Sequence, residues 1–179
     1  MSGTKGAFWS ALLLVVLLVF PASALAQVGQ SRELHYATIH GKASVQFGAR
    51  MYPAGNTPVY LFTLDQSARV RQLEREAYKR SHKTGATEDE ASRIVGELVD
   101  TLDKIIPKLP RTAITRTNRK GFYRFERIPP ATRYHVIAFG QWEDGNYIAA
   151  RITPLIKEGE KLELDLRDDT PWEEQFLVK

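Results

Sequence analysis

One stretch, residues 121–140, constrains the fold more than any other part of this chain. It begins at Gly121 and places large aromatic side chains at every second position, Tyr123 and Phe125. This spacing predicts a strand with one buried face. The strand ends at Ile128-Pro129-Pro130, because proline has no N–H to give to a neighbouring strand. A second alternating strand is predicted directly after it, with one face formed by Tyr134, Val136 and Ala138.

The remaining sequence indicates a mainly β fold of seven strands. Alternation predicts a first strand over 43–51, and the short apolar run 59–64 predicts a second strand buried on both faces. Asp144-Gly145 favours a hairpin near residue 145. Further strands are predicted at 111–117, 147–156 and 162–166. Seven strands joined by short links indicate a β-sandwich.

A two-helix insertion is predicted at 65–109, after the second strand, because the apolar spacing changes there from two to that of a helix. The first helix is predicted over 68–83 with Asp65 as its N-cap, and the second begins with the capping box at Thr87. The first carries six cations against two acids, and the second six acids against two cations. We favour a self-complementary helical hairpin lying on the sheet; the alternative is a partner-binding surface.

The N-terminus predicts export. Residues 7–20 are almost wholly apolar, Pro21 follows, and Ala24-Leu25-Ala26 has the small-residue spacing of a cleavage site. We therefore expect a signal peptide at 1–26, cleaved after Ala26, and a periplasmic or secreted protein that is soluble after cleavage. The alternative is an uncleaved membrane anchor. The sequence contains no cysteine, which excludes disulfides and thiolate chemistry.

The expected organisation is a polar lead-in at 27–41, a sandwich at 42–167 and an acidic tail at 168–179. After removal of residues 1–26, 24 lysines and arginines stand against 21 acids, because only Lys5 is lost from 25. The net charge is then +3. An exported protein has no routine access to nucleic acid. A basic patch on this chain therefore favours an envelope protein or an acidic glycan as the partner.

A motif in this sequence resembles a known family signature. Gly121-x-Tyr123-x-Phe125-x-x-Ile128-Pro129-Pro130-Ala131 is similar to the pattern of carboxypeptidase regulatory-like domains. The resemblance extends to Pro58-Val59-Tyr60-Leu61 and Glu158-Gly159-Glu160, and covers about 42–64 and 110–167. It implies a seven-stranded, prealbumin-like (transthyretin-like) Greek-key β-sandwich with an accessory or binding role. Ala131 replaces the usual glycine and Asn118 stands where the family often has aspartate, so we expect a different turn after Pro130.

The sequence gives little support for catalysis. The enzymatic relative with this fold, the hydroxyisourate hydrolase, carries a Tyr-Arg-Gly-Ser motif that is absent from this sequence. The sequence also lacks a G-x-S-x-G elbow and a His-x-x-x-His pair. We therefore predict a non-enzyme without cofactor or metal. Collagen-adhesin repeats of this fold class join a lysine to an Asn or Asp beside a buried acid. Lys42, Asp165 and Glu126 would hold those positions, but Asp165 is predicted on a polar face, which favours ordinary surface charge.

Two surfaces are candidate ligand sites. Residues 108–133 hold eight cations against one acid, and three of them are candidate contacts: Arg116, Arg124 and Arg127. The alternative is ordinary solvation of the sheet exterior. The second surface is a turn where an aromatic ring lies beside an acid and an amide, as in sugar recognition: Trp142, Asp144, Asn146 and Tyr147. The alternative is a hairpin tip packed on its own Trp.

The predicted function is a non-catalytic binding or assembly module of the bacterial cell envelope. A carbohydrate-binding module is the alternative, and an enzyme is disfavoured.

Overall fold

The computed structural model describes residues 35–142 and 145–168, with the side chains of residues 142 and 145 left out. The predicted signal peptide, residues 27–34 and the tail beyond residue 168 lie outside the described residues. The strands are, in chain order, β1 (Ala37–Phe47), β2 (Arg50–Pro53), β3 (Pro58–Thr63), β4 (Ala113–Arg116), β5 (Phe122–Ile128), β6 (Tyr134–Trp142), β7 (Gly145–Ile152), β8 (Lys161–Glu163) and β9 (Leu166–Arg167). The helices are α1 (Ala68–Ser81) and α2 (Glu88–Ile105), followed by a 3₁₀ turn at Ile106–Lys108.

The described strands form two sheets that enclose an apolar core. In the first sheet, β1 is central, antiparallel to β5 and β2 and parallel to β8 and β9. The second sheet is antiparallel, in the order β4-β3-β6-β7. Buried side chains from both sheets pack between them, among them Ile39, Leu61, Phe125, Val136 and Leu166. The predicted mainly β sandwich is confirmed. The predicted two-helix insertion is confirmed as well, and it follows β3, which corresponds to the second predicted strand.

The prediction for the start of the sandwich was wrong. Residues 37–41, assigned to a lead-in, form the first half of β1, where Ala37 and Ile39 are buried. The predicted strand at 43–51 is two strands, because Gly48 has φ +58° and turns the chain back into β2. The predicted strand at 162–166 is likewise divided between β8 and β9, and β7 ends at Ile152 rather than at 156. The described residues therefore contain nine strands instead of seven.

A bulge in β5 changes which residues face the core. Tyr123 and Phe125 are buried as predicted, but Arg127, expected on the same face, is exposed with φ +56°. On β1, Ile39 pairs with Phe125 and Ala37 pairs with Ile128, so β5 holds one extra residue between the two pairs. Ile128 therefore takes the core position that alternation gave to Arg127. In the turn after Pro130, Ala131 has φ +59°, the left-handed conformation that favours the glycine it replaces; the expected difference in this turn stays a prediction.

The two helices pack on the outer face of the second sheet. Their buried side chains meet those of β3 and β6 in one cluster, formed by Val70, Ile94, Leu98, Leu102, Tyr60, Phe62, Ile137 and Phe139. The predicted helical hairpin on the sheet is thus confirmed. Arg80 Nη2 lies 3.1 Å from Glu97 Oε2 and joins the basic helix to the acidic one. In the described part of the chain, neither helix has the length and apolarity that a bilayer-spanning segment needs.

The predicted N-cap residue is confirmed for α2 and wrong for α1. Thr87 is the N-cap of α2, as predicted, and its Oγ1 accepts a hydrogen bond from the Glu90 backbone N at 3.2 Å. The N-cap of α1 is Ser67 rather than Asp65. The Ser67 hydroxyl makes no cap hydrogen bond, because it donates to the Thr63 carbonyl at 3.1 Å instead.

Candidate anion-binding groove

A groove lies where the edges of the two sheets meet. β4 is the edge of the second sheet and β5 of the first, and the turn at 117–121 joins them. The groove has a volume of about 520 Å³ and is open to solvent on one side. Its polar and aromatic lining comes from three strands and the turn: His40, Thr115, Arg116, Asn118, Phe122 and Arg124. We call this site the β4–β5 groove.

The strand register places part of this lining on the outer face of the first sheet. His40 of β1 lies opposite Arg124 of β5, and Lys42 lies opposite Phe122. Because Tyr123 between them points into the core, these four side chains point away from it. Phe122 is 53% exposed, and the Lys42 ammonium lies 6.0 Å from its ring centroid. An apolar ring therefore lies in the groove beside positive charge.

The two arginines are held from opposite sides of the groove. Arg116 donates from Nη1 to the Asn56 carbonyl at 3.0 Å. Arg124 forms an ion pair with Glu126, with 2.9 Å between Nε and Oε1. A guanidinium group has five N–H donors, so neither contact uses all the donors of its arginine.

The turn between β4 and β5 is organised by Asn118. Its Oδ1 accepts hydrogen bonds from the backbone N of Lys120 at 2.9 Å and of Phe122 at 3.1 Å. Gly121 has φ +83°, and a Cβ there would lie 2.5 Å from the Ala43 carbonyl oxygen, so only glycine fits this close approach. Arg119 and Lys120 of this turn are exposed.

The structure separates the residues that the sequence analysis proposed as contacts. Arg116 and Arg124 lie together in the groove, whereas Arg127 is exposed on the bulge and does not line it. Tyr147 is 7% exposed, and its hydroxyl forms a hydrogen bond with that of Thr57, so its side chain belongs to the core. Asn146 is exposed on β7. The Trp142 side chain and Asp144 lie outside the described residues.

Four of the groove residues named above were missed as contacts by the sequence analysis: His40, Thr115, Asn118 and Phe122. His40 was placed in the lead-in, and the other three were not singled out as contacts. The signal for His40 was its alternation with Ala37, Ile39 and Gly41, which all face inward and are buried. The Lys42, Asp165 and Glu126 constellation, which the sequence analysis disfavoured, is not assembled: Asp165 is exposed and its Oδ1 accepts from the Lys42 backbone N at 2.8 Å, while Glu126 pairs with Arg124.

A second group of ionisable side chains comes from α1, which carries Arg71 and Glu74, and from β6, which carries His135. Glu74 and His135 are fully buried, and Arg71 lies close enough to influence both. Neither carboxyl oxygen of Glu74 has a hydrogen-bond partner in the part of the chain that the structure describes. Burial raises the pKa of Glu74 to about 8, against a smaller opposing effect of Arg71. Burial, with Arg71 adding to it, lowers the pKa of His135 to about 3.

Burial excludes this group from contact with a substrate, but it makes stability depend on pH. From about pH 4.5 to 8 the unfolded chain ionises Glu74 while the folded protein keeps it protonated, so stability falls by roughly 1.4 kcal/mol per pH unit. Glu74→Gln removes this loss. We expect the free energy of unfolding of Glu74→Gln, relative to the parent, to rise by roughly 2 kcal/mol between pH 6 and pH 8.

Urea denaturation at each pH measures the difference, and the titration of His135 cancels because both proteins contain it. Glu76→Gln, which removes an exposed carboxylate from the same helix, is the matched control. A Glu74→Gln difference that stays constant from pH 6 to pH 8 would show that Glu74 is already ionised in the folded protein.

Within the described residues, no group of three His, Asp or Glu side chains is arranged to hold a metal ion.

No protein-family model matches this sequence, and no curated protein matches it. Several solved structures do. A proposed carbohydrate-binding protein of Pseudomonas aeruginosa matches at 13% identity with a TM-score of 0.44, over 83% of this chain and 97% of that one.

Two pilins are also similar in structure. The major pilin subunit of Bacillus cereus matches at 8% identity with a TM-score of 0.36, over 75% of this chain and 30% of the pilin. A shaft pilin of Lactobacillus rhamnosus GG matches at 10% identity with a TM-score of 0.35, over 74% of this chain and 48% of the pilin. This chain therefore spans less than half the length of either pilin.

Proposed function

We propose that this protein is a non-catalytic binding module of the bacterial cell envelope, and that it holds an acidic glycan in the β4–β5 groove. The observation that carries the proposal is the convergence of Arg116 and Arg124 on one open groove with the exposed ring of Phe122. Export is part of the proposal and is supported by the apolar segment and cleavage motif of the N-terminus. Membership of the transthyretin-like sandwiches is supported by the Gly121 to Ala131 motif.

The chemistry of the groove favours a carboxylated sugar. A guanidinium group offers two parallel N–H donors that match the two oxygens of a carboxylate. The Phe122 ring provides an apolar surface for the C–H face of a sugar, and the side chains of Thr115 and Asn118 offer polar groups for its hydroxyls. An acidic protein segment, as in an assembly role, is the competing ligand.

Binding of a short oligogalacturonate, measured by isothermal titration calorimetry, tests this proposal. We expect the parent to bind it and Arg116→Ala or Arg124→Ala to weaken binding about tenfold or more, because each removes charge-assisted hydrogen bonds. Arg127→Ala is the matched control, since Arg127 is exposed on the same strand but lies outside the groove. It should leave the affinity within about twofold of the parent.

The methyl-esterified oligosaccharide separates carboxylate recognition from sugar stacking alone, and we expect it to bind weakly. Equal losses in Arg116→Ala and Arg127→Ala would indicate unspecific attraction to a basic surface. Absence of any uronate binding, with an acidic envelope protein captured instead, would replace the glycan by a protein partner.

A further inference from the structure

The hairpin formed by β1 and β2 ends in a ribbon that is exposed on both faces. All residues from 46 to 51 are exposed, including Phe47 at 53% and Met51 at 36%. Among the described residues, β2 pairs with β1 alone. The last core residue before the turn is Val45, and the next after it is Ala54. The tip therefore lies beyond the sandwich core.

The register puts the two apolar side chains on opposite faces of this ribbon. Phe47 lies opposite Arg50 and shares a face with it, whereas Met51 lies opposite Gln46 on the other face. A ribbon that docks on a protein presents apolar groups on the face it buries. Apolar groups on both faces suit immersion in a medium that surrounds the tip. Arg50 is the only charge from 47 to 51, and its long side chain can keep the guanidinium in a polar layer.

Positive charge lies at the base of the hairpin. The turn that carries Arg119 and Lys120 contacts the end of β2, since a Cβ on Gly121 would lie 3.3 Å from Pro53 Cβ and one on Gly55 would lie 3.2 Å from the Arg119 carbonyl oxygen. Both cations are exposed. Within the described part of the chain, an acid that contacts the hairpin is Asp168, whose Oδ1 accepts a hydrogen bond from the Gln46 backbone N at 2.7 Å.

We propose that the tip of the β1–β2 hairpin inserts shallowly and reversibly into the surface of an anionic lipid bilayer. Phe47 and Met51 enter the boundary between headgroups and acyl chains, a depth of roughly 5–10 Å. Arg50, Arg119 and Lys120 then lie at the level of the negative headgroups. This inference goes beyond glycan binding and does not depend on it.

Co-sedimentation with lipid vesicles tests the proposal. The described residues all belong to one compact unit, so we expect the chain from residue 27 to keep the fold, and it is the form tested. We expect it to bind vesicles of phosphatidylglycerol and phosphatidylethanolamine, and to bind vesicles of phosphatidylcholine at least tenfold more weakly. The double variant Phe47→Ser and Met51→Ser should lose at least tenfold in binding to the anionic vesicles.

The matched control is the double variant Ile114→Ser and Leu155→Ser, which removes two other apolar side chains of similar exposure, 50% and 56%. It should bind the anionic vesicles as the parent does. Equal losses in both double variants, parental binding by the tip variant, or no binding by the parent would each overturn the proposal.

Because the chain contains no cysteine, one introduced thiol can report where the bilayer contacts the protein. An environment-sensitive fluorophore on Ala49→Cys, in the hairpin turn, should shift to the blue on addition of anionic vesicles. It should also be quenched by a quencher placed within the bilayer. The same fluorophore on Thr84→Cys, in the turn between the helices, should show neither change. Equal responses at both positions would contradict insertion of the hairpin.

Discussion

Replacing residues 65–109 by a short Gly/Ser loop should abolish the cooperative unfolding transition of the sandwich. The helices cover Tyr60, Phe62, Ile137 and Phe139 on the outer face of the second sheet. Burial of a large apolar side chain stabilises by about 1.5–3 kcal/mol, so exposing four costs roughly 6–12 kcal/mol. The total stability of a domain is about 5–15 kcal/mol. The loss is therefore of the same size as the whole stability.

Thermal unfolding followed by circular dichroism measures this effect, and binding of a hydrophobic dye reports the uncovered sheet. The control replaces only the connecting turn at 83–86 by Gly/Ser residues, which keeps both helices. It should melt within a few degrees of the parent. A deletion variant that melts like the parent would mean that the helical hairpin is an independent arm, and would direct the search for partners to the basic face of α1.

Phe125→Ala should lower the free energy of unfolding by about 3–5 kcal/mol, because a truncated core aromatic leaves a cavity. Phe125 is 3% exposed, lies opposite Ile39 of β1 and packs edge-on against Tyr123 with 5.9 Å between ring centroids. Phe122→Ala is the matched control on the same strand. Phe122 is 53% exposed, so its loss should change stability by about 0.5 kcal/mol or less.

Urea denaturation of both variants gives the comparison. A loss under about 1 kcal/mol for Phe125→Ala, together with a larger one for Phe122→Ala, would mean that β5 faces the core with its other side. A shift of one residue in register produces that exchange.

Alternation and helical spacing were sufficient to predict most of the architecture. Tyr123 and Phe125 carry enough apolar surface that only one strand orientation buries them, and the structure has that orientation. The insertion was predictable because the apolar spacing changes at its start and the two helices carry opposite charge. The contact of Arg80 with Glu97 shows that this charge is matched within the hairpin.

Features that depend on a partner strand could not be read from local sequence. The first half of β1 has small or polar residues around Ile39, and it is a strand because β5 and β8 pair with its two edges. The bulge at Arg127 arises from the same pairing. For Glu74, two local signals disagree. Its position between Val70 and Ala77 on the buried face of α1 indicates burial, whereas its charge indicates exposure.

The groove shows the same limit for function. The sequence contains eight cations between 108 and 133, and composition alone cannot say which of them converge. Arg116 and Arg124 line the same groove because the turn at 117–121 joins the edge strands of two sheets, and His40 joins them only through the register of β1 with β5. Tyr147 was a reasonable candidate by residue type, but its place in the core follows from the pairing of β7 with β6.

The position of β1 at the centre of its sheet has a consequence for the order of folding. One edge of β1 is filled by β8 and β9, so the first and last described strands of the chain are neighbours. The hydrogen bond from Lys42 to Asp165 joins residues 123 positions apart. Contacts of such sequence separation slow folding, because a long loop must close before they form. During synthesis, β1 therefore keeps an open edge until β8 and β9 have been made, and this part of the first sheet closes only after them.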